Sequence, residues 1–181
     1  MRRFDRSQTT LFFDSDGEPV AQLADGERVV VETADSVCGL AKAMAPQGMH
    51  IDELVDRIGG ACPLTGPFFV EGAKAGDALE VEFHRVDADP PSGEAWTGVF
   101  GGFGAFDHER YSLAAGPRPE LLKVPYADGV AQLPCRGGTV AIPMAPFLGT
   151  VGVAPVRERR MTFSQSPEYL GDVDVPALGA G

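Results

Sequence analysis

Basic residues are the scarce class in this chain. Lys and Arg number 15 against 26 Asp and Glu in 181 residues, a formal net charge of −11. A field of that sign repels phosphate, which argues against nucleic acid and against an anionic membrane surface as partners. Cysteine is sparse as well: Cys38, Cys62 and Cys135 are odd in number, far apart and without a Cys-x-x-Cys pair. That usage disfavours a disulfide framework and a thiolate zinc site, and a reducing cytoplasm is the expected location. No apolar run is long enough for a transmembrane helix. The start, Met1 to Thr10, has a basic tip with no apolar stretch behind it, which is not the pattern of a secretory signal. The histidines, His50, His84 and His108, share no metal-ligand spacing, and each reads as a surface group. A Gly-x-Ser-x-Gly elbow, a phosphate-binding loop and a His-Glu-x-x-His pair are all missing.

What the chain does have is punctuation. Glycine (23) and proline (15) together exceed a fifth of the residues and separate short apolar runs. The length suits one domain, with an apolar fraction of 44% that is ordinary for a globular protein. Residues 1–27 read as a lead-in and 28–181 as the domain proper. Strands are expected at 28–33, 67–70, 129–133, 138–144, 149–156 and 159–164, and many short strands with turns between them indicate a β-sandwich or barrel. The segment 76–87 alternates Leu79, Val81 and Phe83 with Glu80, Glu82 and His84. That period predicts a strand over 78–86 with those three apolar side chains buried. Helices are expected at 35–44, from Val37, Leu40, Ala41 and Met44, and at 50–60, with Gly59 as the stop. Residues 87–110 read as a long connection studded with Trp96, Phe100, Phe103 and Phe106, which gain by burial.

Few residues carry obvious chemistry. Cys38 beside Asp35 and Ser36 invites a nucleophile reading, but a buried structural thiol is the better expectation. Asp35 precedes a helical pattern and has the ordinary reading of an N-cap. Asp172 and Asp174, two apart in "LGDVDV", share a face if the segment is extended; such a pair can hold a hard cation or do acid–base work.

Four segments taken in order resemble one family. "CPLTGPFFVEGAKAGDALEVEFHRVD" (62–87), "VVVETADSV" (29–37), "GGFGAFDH" (101–108) and "IPMAPFLGTVGVAPV" (142–156) are similar to motifs of the acetamidase/formamidase family. The resemblance implies a mainly β, jelly-roll-like sandwich with one or two short helices. It also implies hydrolysis of small linear amides to a carboxylate and ammonia. A divalent metal, zinc or else calcium, would polarise the carbonyl and acidify water. Where the family has His-Gly-Gly-Asn-x-Asp, this chain has Tyr169, Leu170, Gly171, Asp172, Val173 and Asp174. Carried over residue by residue, Asp174 is the expected catalytic and metal-site carboxylate, Asp172 a second metal ligand in the asparagine's place, and Asp35 a further catalytic candidate. The family continues into a His-rich segment past this point. The chain is therefore expected to match an N-terminal portion, to have little activity alone, and to pair with a complementing C-terminal half or with copies of itself. An exposed apolar patch including part of 142–156 is expected to serve that pairing. The alternatives are a non-catalytic β-sandwich binding module or subunit, and a small β-barrel that binds through its aromatic loop.

Overall fold

The computed structural model describes residues 1–40, 56–99 and 120–180. Among them the fold is mainly β, as short apolar runs between turns require. The first strands are β1 (Arg2–Phe4), β2 (Thr9–Thr10), β3 (Phe12–Asp14), β4 (Ala21–Leu23) and β5 (Val29–Val31). β6 (Leu64–Thr65), β7 (Phe68–Val70), β8 (Gly93–Val99), β9 (Glu120–Ala127), β10 (Val130–Cys135) and β11 (Gly138–Pro143) follow. β12 (Thr150–Gly152), β13 (Arg159–Met161), β14 (Gln165–Ser166) and β15 (Leu170–Asp172) complete the set. Helical structure among these residues is confined to 56–58 and a 3₁₀ turn at Pro176–Leu178.

Two compact units are present. The first comprises Met1–Gly39, Ile58–Val86 and Phe147–Gly181. It is woven from small sheets that join distant parts of the sequence. β1 pairs in parallel with β5, and β4 with β7. β2 pairs antiparallel with β6, β3 with β13, and β15 lies between β12 and β14. Its core is aromatic. Phe4 and Phe13 are buried, Phe4 packs edge-on against Phe68 at 4.8 Å between centroids, and Phe13 meets buried Tyr169 at 5.5 Å. Each such ring gains roughly 1.5–3 kcal/mol by leaving water. Gly152 is required at this contact: a Cβ there would lie 2.8 Å from the Phe13 ring and would overlap the Tyr169 carbonyl oxygen. Thr162 is fully buried, and its hydroxyl donates to the Ala61 carbonyl at 2.7 Å.

The second unit, Leu40–Arg57 with Asp87–Pro146, contains an antiparallel sheet in the order β11-β10-β9-β8. β9 and β10 are joined by Asp128-Gly129, both with positive φ (50° and 74°), which is the backbone a two-residue primed turn demands. Val124 is buried, opposite Ala95 of β8.

Several expectations are corrected. Residues 78–86 are not a strand: Leu79 is 44% and Val81 60% exposed, and Phe83 is half-buried. Alternation specifies which side would be covered if a ladder formed, but a ladder needs a neighbour, and none of the described residues supplies one. Residues 36–40 form a turn rather than the start of a helix, and Cys38, at φ 55°, is exposed rather than buried. A left-handed residue at that point ends any helical path and turns the thiol outward. The rest of the expected helix, 41–44, lies outside the described residues. Of the expected helix 50–60, residues 56–58 are helical and Gly59 stops them at φ 76°. The long connection contains the seven-residue strand β8, which pairs along its whole length with β9; Phe100, Phe103 and Phe106 lie outside the described residues. Ile142, Val153 and Val156, within 142–156, are exposed.

Candidate functional site

The site is built on the β12–β15 ladder of the first unit. Thr150 and Asp172 are direct cross-strand partners, so hydroxyl and carboxylate share one face. The Thr150 hydroxyl donates to Asp172 Oδ1 at 2.8 Å, and the Cys62 thiol donates to Asp172 Oδ2 at 3.7 Å. Both oxygens of Asp172 are thus fixed, one from within its own sheet and one from a segment 110 residues away. Cys62 is placed by backbone: its N–H donates to the Ser36 carbonyl at 2.8 Å. The β6 strand that follows is tied down where the Thr65 hydroxyl donates to the Glu32 carbonyl at 2.6 Å.

Asp174 follows at once. The N–H groups of Val173 and Asp174 both donate to the Gly149 carbonyl, at 3.1 and 3.0 Å. The Asp174 carboxylate then lies over Gly149, where a Cβ would come within 2.6 Å of Oδ1. A residue with a side chain at 149 would displace it. Backbone strain concentrates here. Cys62 (φ 54°), Leu170 (70°), Gly171 (97°) and Asp174 (46°) are all left-handed. For the non-glycine residues that costs roughly 1–2 kcal/mol each. At Gly171 a Cβ would also collide with the Ser164 carbonyl.

The electrostatics agree with the geometry. Burial pushes the Cys62 thiol up to about 11, and the nearby charge of Asp172, with a smaller part from Asp174, adds to the effect. At neutral pH the thiol keeps its proton and acts as a donor to Asp172. Asp35 sits apart from this group in role. Its Oδ1 accepts the Val37 N–H at 3.0 Å, and its charge raises the pKa of Cys38, after burial, rather than that of Cys62. Its link to the cluster is the neighbouring Ser36 carbonyl, which receives the Cys62 N–H. His84 is exposed beside Glu82 at 3.4 Å, and His50 and His108 lie outside the described residues.

Asp172 and Asp174 are the pair that the sequence singles out; the structure brings Asp172 to the Cys62 thiol, which feels the charge of Asp174 more weakly. Cys62 and Thr150 are the residues sequence reasoning missed. Cys62 stands inside the quoted motif "CPLTGP", but nothing in its residue type reveals a carboxylate partner 110 positions on. The donor set does not by itself fit a metal centre. Among the described residues no group of three or more His, Cys, Asp or Glu side chains is arranged to hold an ion, and both Asp172 oxygens already accept hydrogen bonds. An open cleft of about 440 Å³, lined by Thr9, Thr10, Phe12, Asp14, Gly66 and Arg159 among others, belongs to a different part of the unit and includes none of these carboxylates.

The model of the acetamidase/formamidase family matches residues 6–176. The chain belongs to this family. Its fold is also that of solved acetamidases. An acetamidase from Bacillus halodurans superposes with a TM-score of 0.79 at 23% identity, covering 99% of this chain and 55% of that one. A predicted acetamidase/formamidase from the thermophile Thermoanaerobacter tengcongensis gives 0.79 at 21% identity, covering 99% and 54%. An acetamidase from Yersinia enterocolitica gives 0.74 at 17% identity, covering 99% and 54%. The chain thus spans about half the length of the solved acetamidases it matches. No curated protein matches it.

Proposed function

We propose that this chain belongs to a hydrolase of small linear amides, of the acetamide or formamide type, that releases a carboxylate and ammonia. The observation that carries this reading is the family match over residues 6–176, and the Asp172–Asp174 cluster is the place in the chain where its chemistry fits best. An amide is a poor electrophile. Its hydrolysis needs water oriented on the carbonyl carbon, charge stabilised on oxygen, and a proton delivered to the leaving nitrogen.

Asp174, exposed above Gly149, is suited to accept a proton from that water. Asp172, fixed at both oxygens by Thr150 and Cys62, supplies a rigid negative charge rather than a mobile base. The neutral Cys62 thiol holds that carboxylate in place. Asp35 is a further candidate through the Ser36–Cys62 link, acting on position rather than on protons. A divalent metal, zinc before calcium, remains part of the proposal, with Asp172 and Asp174 as its contribution from this chain. The described residues do not complete its shell. Copies of this chain, or a complementing C-terminal portion of the fold, are the proposed partners, and the cytoplasm is the proposed location.

The test is ammonia release from formamide and from acetamide, with and without zinc. It is run on the chain alone and on the chain mixed with a polypeptide carrying the remaining portion of the acetamidase fold. Turnover that Asp174→Ala lowers by at least ~100-fold, as loss of a proton-transfer group does, supports the reading. Turnover that survives Asp174→Ala removes that residue from the reaction. Absence of turnover under every combination overturns the hydrolase and favours a non-catalytic binding subunit.

A further inference from the structure

The segment 78–84, Ala-Leu-Glu-Val-Glu-Phe-His, has the two-residue period of a half-covered strand. Yet no ladder is formed on it among the described residues, and Leu79 and Val81 stand 44% and 60% exposed. Glu80 and Glu82 alternate with them and are exposed too. A strand pattern without a ladder, carrying apolar and anionic side chains in turn, is what an added strand recognises: backbone for affinity, alternate side chains for specificity.

We infer that residues 78–84 are a docking strand for an extended segment that lays apolar side chains on Leu79 and Val81 and sets Lys or Arg opposite Glu80 and Glu82. The occupant is a segment of the acetamidase fold beyond the portion this chain matches. The Bacillus halodurans enzyme is covered to 55%, leaving about 45% of its chain as further structure. Charge disfavours the simplest alternative. A second copy paired antiparallel about Val81 would set Glu80 against Glu82, and like charges directly opposite one another are destabilising. The inference stands on the family's fold and not on amide hydrolysis, so it survives if the chain proves inactive.

Amide hydrogen exchange of the 181-residue chain tests it. The probe is an end-blocked nine-residue peptide alternating valine and lysine. One control has the same composition with the valines and lysines in two blocks, and another alternates valine and glutamate. The alternating valine–lysine peptide is expected to slow exchange across 78–84 at least tenfold and leave other strands unchanged. The double variant Glu80→Gln, Glu82→Gln, at exposed positions, is expected to weaken that protection and remove its salt dependence. The inference is overturned if the alternating peptide gives no protection, if the block peptide protects equally, or if 78–84 already exchanges slowly in the dilute chain alone. Protection that rises with the chain's own concentration overturns it in favour of self-association. Free exchange of the equivalent residues in the intact Bacillus halodurans enzyme also overturns it.

Discussion

Asp174 holds a left-handed backbone, which costs any residue but glycine some energy, in a position that leaves its side chain exposed. Strain retained at a candidate site is accounted for by use rather than by stability. Asp174→Gly relieves up to ~1 kcal/mol of strain and is therefore expected to keep or raise Tm, while lowering amide turnover as strongly as Asp174→Ala. Differential scanning calorimetry beside the ammonia assay checks this, and a lower Tm for the glycine variant refutes the strain argument. Cys62 gives a second prediction. Its thiol is raised to about 11 from an ordinary 9.0, by burial first and the Asp172 charge next. The folded state thus holds the proton more tightly than the unfolded chain. The stability this contributes is whole below pH 9 and is lost as pH rises from there to about 11. Iodoacetamide should label exposed Cys135 before Cys62 at pH 8. Asp172→Asn should bring the Cys62 labelling midpoint down, because one of its two leading causes is gone. An unmoved midpoint means that Asp172 does not face the thiol.

At the scale of elements, the contacts that matter join segments far apart in sequence. Thr162 follows β13 and has its hydroxyl on the Ala61 carbonyl and its N–H on the Leu11 carbonyl at 3.0 Å. It therefore ties together three stretches around the aromatic core. Thr162→Val keeps the shape and removes one donor, leaving the half-buried Ala61 carbonyl without it. A loss of about 1–3 kcal/mol is expected in urea unfolding, with Thr162→Ser much milder. Equal losses for both substitutions would show that packing, not the hydrogen bond, is decisive. Strands that carry their own turn chemistry were legible. β10, β11 after its glycines and β7 after Gly66-Pro67 sit where runs and breakers place them, whereas β9, the other arm of the Asp128-Gly129 hairpin, was not expected. Residues 78–86 were not, because a period of two states a preference and not the existence of a partner.

For the molecule as a whole, the excess of acid is partly organised. Arg3 and Arg6 both reach Glu32, at 2.6 and 3.6 Å, and Arg2 reaches Glu27 at 3.1 Å. These pairs fasten the basic N-terminal strand to the β5 region. The Arg3 hydrogen bond holds the Glu32 carboxyl below its usual value. At Glu27 the Ala24 N–H does the same, with help from Arg2. Both folded values lie below the ordinary 4.5, so the stability they bring is present above that pH and is lost as pH falls through the lowered values. Acid unfolding is expected to shift to higher pH in Glu32→Gln, and the shift should shrink in high salt, which screens exposed pairs. Circular dichroism against pH at two ionic strengths measures it; an unchanged acid midpoint removes these pairs from the account of stability.

The sequence by itself determined the class of the fold, its family and the two carboxylates of interest. Those follow from local period, from turn residues and from motifs in order, all of which act within a few positions along the chain. Tertiary structure alone decided that Asp172 would be clasped by Cys62 and Thr150, that Asp35 would serve its own turn, and that Gly149, Gly152 and Gly171 would mark close approaches. Each of these depends on which distant segments meet. A thiol 110 residues from its acceptor, or a glycine whose missing Cβ makes room for another segment's carbonyl, leaves no local pattern. The energy lies in the contact, and the contact exists only once the strands have paired.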